Sequence, residues 1–134
     1  MRILLTEDDD SVRAFVSRAL ELDGHEVDTA CNGVEALDSL SEHEGGYDLL
    51  VTDVKMPIMD GIALAHEASG QWPGLPILLM TGFADQRERA EDLAEKIRDV
   101  VTKPFTLDQI REAVSDAATA EEAEEAEEAA EKAA

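Results

Sequence analysis

Four short apolar runs in this chain each end in a residue able to handle a phosphoryl group or a metal ion. Ile3-Leu4-Leu5-Thr6 leads into Glu7-Asp8-Asp9-Asp10, and Leu49-Leu50-Val51-Thr52 into Asp53. Ile77-Leu78-Leu79-Met80 leads into Thr81-Gly82, and Val100-Val101-Thr102 into Lys103-Pro104-Phe105. Acids from two runs, a hydroxyl from a third and an ammonium from a fourth converge only if the runs are neighbouring parallel strands. Such a set is the inventory for a divalent cation and a phosphoryl group.

The elements that must position these residues can be read from the pattern. An apolar run with a β-branched member, flanked by turn residues, is how a strand covered on both faces reads. Asp53 stands at the carboxyl end of such a run, where open α/β sheets bind ligands. Between the runs lie helical patterns. Ser11 is read as the N-cap of a first helix with Val12, Val16, Ala19 and Leu20 on one stripe, closed by Gly24. Phe15 lies off that stripe and reads equally as a second core residue or an exposed contact. His25 to Ala30 alternates weakly as a second strand, with His25 as a surface residue. A second helix follows Asn32-Gly33 and breaks at Glu44-Gly45-Gly46, and a third runs from Gly61 to Ser69, with Trp72 packed over its end. A charge-rich fourth helix is expected from Asp85 to Arg98, and a fifth carries Leu107, Ile110, Ala113, Val114 and Ala117. The alternation gives an α/β, doubly wound, five-stranded parallel sheet.

These motifs resemble the receiver domains of two-component response regulators. The acid pair Glu7/Asp8, the stretch Asp53-Val54-Lys55-Met56-Pro57-Ile58-Met59-Asp60-Gly61, Thr81 and Lys103-Pro104-Phe105 stand in that family's order and spacing, over about Arg2 to Ala117. The resemblance implies a flavodoxin-like strand order 2-1-3-4-5. It makes Asp53 the phospho-acceptor and the chain a switch, not an enzyme, that takes a phosphoryl group from a histidine kinase or a histidine phosphotransfer protein and alters binding to a downstream protein. Mg²⁺ would be held by Asp8, Asp53 and the backbone carbonyl of Lys55, with Glu7 acting through water. Thr81 and Lys103 would hold phosphoryl oxygens, and Ser11, Val12, Phe15, Pro104 and Phe105 would form the donor's docking patch. Two positions depart from the family pattern. Glu7 replaces the commoner aspartate, and Val100 replaces the usual switch aromatic, leaving Phe83 as the nearest candidate for conformational output. The opening Glu7 to Asp10 and the stretch Thr81-Gly82-Phe83-Ala84 are similar to single-domain receivers of the CpdR type, which serve cell-cycle phosphorelays and adapt proteolysis.

Composition narrows the remaining choices. The chain has 134 residues, 11 Lys+Arg against 32 Asp+Glu, and a formal net charge of -21. That is one domain's length, read as a receiver over residues 1–118 with no output module. The charge repels nucleic acid and anionic membranes, so direct binding to either is not expected. Cys31 has no second cysteine to pair with, and no run is long enough for a signal peptide or a membrane span, so a cytoplasmic location is expected. Residues 119–134 are almost all Ala and Glu and can build no core; they read as a frayed helix or solvating tail. A rival reading takes Leu5 to Val12 as the nucleophile loop of a haloacid-dehalogenase-like phosphohydrolase, with Asp8 as nucleophile. It leaves the Asp53 to Gly61 stretch unexplained.

The resemblance to receivers also implies one kinetic expectation. The positions two residues after Asp53 and two after Thr81 line the approach of hydrolytic water, and here they hold Lys55 and Phe83. Neither orients water well, so an acyl phosphate on Asp53 should be long-lived. Phosphorylated protein with Mg²⁺ and no partner should decay faster in the double variant Lys55→Asn, Phe83→Glu than in wild type; equal decay would show that these side chains do not set the lifetime.

Overall fold

The computed structural model describes residues 1–81, 97–102 and 105–117, with the backbone alone at 97–99 and 102. Five parallel strands, β1 (Arg2–Thr6), β2 (Glu26–Ala30), β3 (Leu49–Asp53), β4 (Ile77–Thr81) and β5 (Ile97–Thr102), form one sheet in the order β2-β1-β3-β4-β5. Among the described residues the helices are α1 (Asp10–Leu22), α2 (Gly33–Glu42), α3 (Gly61–Gln71) and one over residues 107–117. This is the expected doubly wound, flavodoxin-like architecture.

Successive strand residues point to opposite faces, so a strand buried on both must be apolar throughout. Leu4, Leu50, Ile77 and Leu79 pack on one face with Ala36 and Leu40 of α2 and Ile62, Leu64, Ala65 and Ala68 of α3. Ile3, Leu5, Leu49, Val51, Leu78 and Met80 pack on the other with Val16, Ala19 and Leu20 of α1 and Ile110, Ala113 and Val114. The central strands thus have no freedom to slip, because a one-residue shift would exchange their two faces.

Each helix starts at a defined place because a side chain accepts one of its orphan amides. Asp9 accepts from Val12 N (3.0 Å), Asn32 from Glu35 N (2.8 Å) and Asp60 from Ala63 N (2.8 Å). Asp9 is therefore the cap of α1, where Ser11 was expected. At residue 106 the cap is reciprocal: Thr106 N donates to Gln109 Oε1 (2.8 Å) and Gln109 N to Thr106 Oγ1 (3.1 Å). Gly24, with φ 87°, closes α1 as expected.

Several other expectations are refined. Strand β5 begins at Ile97, so the fourth helix cannot extend to Arg98, and its remaining span lies outside the described residues, as do residues 118–134. Gly70 lies inside α3, which continues to Gln71. His25 is half-buried, with Nδ1 3.0 Å from the Met1 amine; desolvation first, and that positive neighbour second, lower its pKa. At the far end of α1, Arg111 Nε donates to both carboxylate oxygens of Asp23 (2.9 Å each), which lowers the pKa of Asp23.

Trp72 does more than cover the end of α3. Its indole lies against Gly45, in the break after α2, where φ is 70° and an added Cβ would overlap the ring. Gly45→Ala therefore meets both a left-handed backbone and an aromatic wall, and should destabilise the fold by about 2 kcal/mol or more. Urea unfolding followed by Trp72 fluorescence checks this. A loss of under about 0.5 kcal/mol would show that the indole moves aside freely.

Candidate functional site: a carboxylate centre at the strand ends

In an order β2-β1-β3-β4-β5 the chain reverses direction across the sheet between β1 and β3, which opens a crevice at their carboxyl ends. Glu7 and Asp8 follow β1 directly, and Asp53 is the last residue of β3. One carboxylate oxygen from each of the three lies within 4.8 Å of the others. Glu7 (1% exposed) and Asp53 (6%) are buried, while Asp8 is open to solvent. Hard oxygen donors in one small volume, with one side wet, suit an ion that keeps part of its hydration shell, as Mg²⁺ does. The residues present therefore fit the cation.

The backbone under these acids is held from several sides. Glu7 N continues the sheet by donating to Ala30 O (3.1 Å), and Asp9 N donates to Glu7 Oε1 (3.2 Å). Arg13 Nη1 donates to the Glu7 carbonyl (2.9 Å), and its guanidinium also pairs with Asp10, a bond that raises the arginine pKa. At the other acid, Val54 N donates to Asp53 Oδ1 and to Met80 O (3.0 Å each), while Thr52 Oγ1 donates to the Asp53 carbonyl (2.9 Å). Gly61 N then donates to Val54 O (2.7 Å), drawing the start of α3 so close that a Cβ on Gly61 would overlap the Asp53 carbonyl oxygen. A glycine is required there for space, not for φ.

Of the other expected residues, Thr81 ends β4, buried, on the strand next to Asp53, whose register partner is Met80. Lys55 is exposed in the loop after Asp53. Ser11 is exposed and Phe15 is 42% exposed, which decides that residue as a surface apolar group, not a core one. Val12 and Phe105 are half-buried against the α1-side core, so they offer only their outer edges. Val100 packs against the opposite core. Lys103, Pro104 and Phe83 lie outside the described residues. Arg13 and Thr52 were not anticipated as parts of the site, nor was the close approach that makes residue 61 a glycine, because these depend on contacts between segments that no local spacing announces.

The fold and the acid cluster define a flavodoxin-like α/β protein with a carboxylate centre at its switch point. Residues 3–115 match the response regulator receiver domain, and the chain belongs to that family of two-component signalling domains. It is 42% identical over 106 residues to the response regulator receiver protein CpdR of Brucella abortus, covering 79% of this chain and 87% of that one. It is 37% identical over 110 residues to response regulator MprA of Mycobacterium tuberculosis, covering 82% of this chain but only 47% of MprA. The response regulator TrrA of Thermotoga maritima, crystallised with Mg²⁺ and beryllium fluoride, superposes with a TM-score of 0.77 at 32% identity, over 87% of this chain and 97% of that one. Among the described residues, no helix is long and apolar enough to cross a membrane.

Three carboxylates held this close repel one another, by about 1 kcal/mol per pair even at the dielectric constant of water. Asp8→Ala should raise stability without metal by about 1 kcal/mol and abolish most of the stabilisation that millimolar Mg²⁺ gives wild type. Thermal unfolding with and without Mg²⁺ measures both. A metal-free variant less stable than wild type would show that Asp8 makes a structural contact outweighing the repulsion.

Proposed function

We propose that this chain is a phospho-acceptor switch of the CpdR-like kind, in which Asp53 takes a phosphoryl group from a phosphohistidine protein and the product changes partner binding. The observation that carries this reading is the gathering of Glu7, Asp8 and Asp53 oxygens within 4.8 Å at the β1/β3 switch point.

The Asp53 carboxylate attacks phosphorus in line with the departing imidazole. The P–O bond forms as the P–N bond breaks, and the electron pair leaves with the histidine nitrogen. Both reactants are anionic; Asp8, Asp53 and the Lys55 carbonyl would hold Mg²⁺, with Glu7 reached through water, and the ion would supply the neutralisation that permits their approach. The hydrogen bond from Val54 N holds Asp53 Oδ1 in place at the end of β3. Thr81 and Lys103 then hold phosphoryl oxygens through charge-assisted bonds. The switch is a shift between two conformations biased by those contacts. No external substrate is turned over, so the protein acts as a signalling switch and not as an enzyme.

The donor is a histidine kinase or a histidine phosphotransfer protein. It docks over Ser11, Val12, Phe15, Pro104 and Phe105, and the output is a contact with a downstream protein. A net charge of -21 disfavours nucleic acid and anionic membrane as direct partners. The working location is the cytoplasm, where kinases phosphorylate their histidines. The receiver reading spans residues 1–118, and the Ala/Glu-rich stretch 119–134 is read as a helical or disordered tail that follows it in sequence.

Asp53→Asn removes the nucleophile at almost constant volume. It should abolish labelling by acetyl phosphate while the thermal transition stays cooperative, and mass spectrometry should place the wild-type phosphoryl group on Asp53. Labelling of the variant at wild-type stoichiometry, or a phosphoryl group found on Asp8, would overturn the reading.

A further inference from the structure

Glu7 stands where the receiver pattern commonly has aspartate, and the structure leaves its extra methylene little choice of direction. The backbone on both sides of the side chain is fixed. Glu7 N donates to Ala30 O (3.1 Å) and Arg13 Nη1 donates to the Glu7 carbonyl (2.9 Å), so the Cα cannot draw back to make room for a longer arm. Solvent is closed to it as well. Glu7 is 1% exposed and Asp9 N donates to its Oε1 (3.2 Å), which keeps the carboxylate in the acid cluster, with an oxygen within 4.8 Å of those offered by Asp8 and Asp53.

Distances decide what the extra reach can do. A carboxylate that meets a metal through a bridging water stands about 4 Å from the ion, whereas a direct oxygen ligand of Mg²⁺ stands about 2.1 Å away. One added methylene extends a side chain by about 1.3 Å, most of that difference. Burial acts in the same direction, because a desolvated carboxylate is costly unless a cation compensates it closely, and a water in between weakens the compensation. Opposing direct ligation is the hydration of the ion, since a water must leave for each protein oxygen that enters. Mg²⁺ gives up water reluctantly. Mn²⁺ has the same charge and the same preference for oxygen, but its larger radius holds water less tightly.

We propose that Glu7 is a direct ligand of Mn²⁺ and thereby sets the ion preference of the site, which favours Mn²⁺ over Mg²⁺ by more than an aspartate at the same position would. With Mg²⁺ a water stays between the ion and Glu7; with Mn²⁺ the carboxylate replaces that water. The proposal rests on the cation-binding part of the phospho-acceptor reading and gives Glu7 a specificity role within it. Phosphoryl uptake by Asp53 then responds to the supply of Mn²⁺ as well as to the donor.

The test uses the full chain, stripped of metal, with MnCl₂ and MgCl₂ as probes. Water-proton relaxation counts the waters left on bound Mn²⁺. A six-coordinate ion held by Asp8, Asp53 and the Lys55 carbonyl alone keeps about three waters, and one that also binds Glu7 keeps about two. Wild type should therefore show about two and Glu7→Asp about three. Dissociation constants for both ions come from titrations followed by thermal unfolding. The ratio of the Mg²⁺ constant to the Mn²⁺ constant should be at least about fivefold larger in wild type than in Glu7→Asp, a quotient that cancels any preference of the remaining ligands. Ratios within about twofold of each other would overturn the proposal, as would about three waters on wild type. If Glu7→Asp does not fold, the water count on wild type decides alone. Binding of neither ion by wild type would overturn the proposal together with the cation site. Labelling of wild type by acetyl phosphate in Mg²⁺ is read separately, and its failure at Asp53 would sink the phospho-acceptor reading whichever ion the site prefers.

Discussion

Mutual repulsion among Glu7, Asp8 and Asp53 is the constraint around which this molecule is arranged. Carboxyl groups whose oxygens lie within 4.8 Å of one another would separate if attached to mobile chain, and Glu7 and Asp53 are buried besides. They stay together because each is fixed to a strand that cannot move. β1 and β3 are apolar on both faces, paired in register from Ile3↔Leu49 to Thr6↔Thr52, and locked between two cores. The hydrophobic sandwich supplies the rigidity, and its carboxyl edge bears the unfavourable electrostatics.

Backbone clamps carry that rigidity to the acids themselves. The peptide after Asp53 is engaged by Thr52 Oγ1, Met80 O and the carboxylate of Asp53, and the following carbonyl accepts from Gly61 N. Arg13 does similar work for Glu7, and its positive charge partly offsets the acids as it pins the carbonyl. The loop between Val54 and Gly61 is consequently short, closed and tightly bent. Its ends are fixed by the sheet and by α3, so the strain collects at Ile58, whose φ is 71°.

Much of this was legible in the sequence, because the strongest signals were those with a physical period or an obligate terminus. The apolar runs of β1, β3 and β4 could be nothing but central strands, and an acid or hydroxyl at the end of each placed the site before any geometry was known. β5 was harder. It is an edge strand, and its first half, Ile97-Arg98-Asp99, lacks an apolar run, so helical periodicity from the preceding segment overreached into it. The start of α1 was off by two residues because Asp8 to Ser11 are all plausible caps, and the choice falls to whichever side chain meets the Val12 amide once Glu7 is pinned. Gly61 and Ile58 were unreadable for a different reason. One is required by a carbonyl arriving from β3 and the other is bent by a loop closed at both ends, and neither fact resides in local spacing.

The same crowding of acids would give the proposed switch a local energy to draw on. A ligand shifts a conformational equilibrium only by the difference in its interaction with the two states. At about 1 kcal/mol per pair in water, and more for buried groups, the acid centre stores a free energy comparable to the 1–3 kcal/mol typical of allosteric coupling. Val54 N donates both to Asp53 Oδ1 and to Met80 O in β4, and Thr81 follows Met80, so the acid and the end of β4 share one peptide. The cores on both faces of the sheet hold β1, β3 and β4 in register, so the fold that keeps the acids together rests on packing away from the edge the acids occupy.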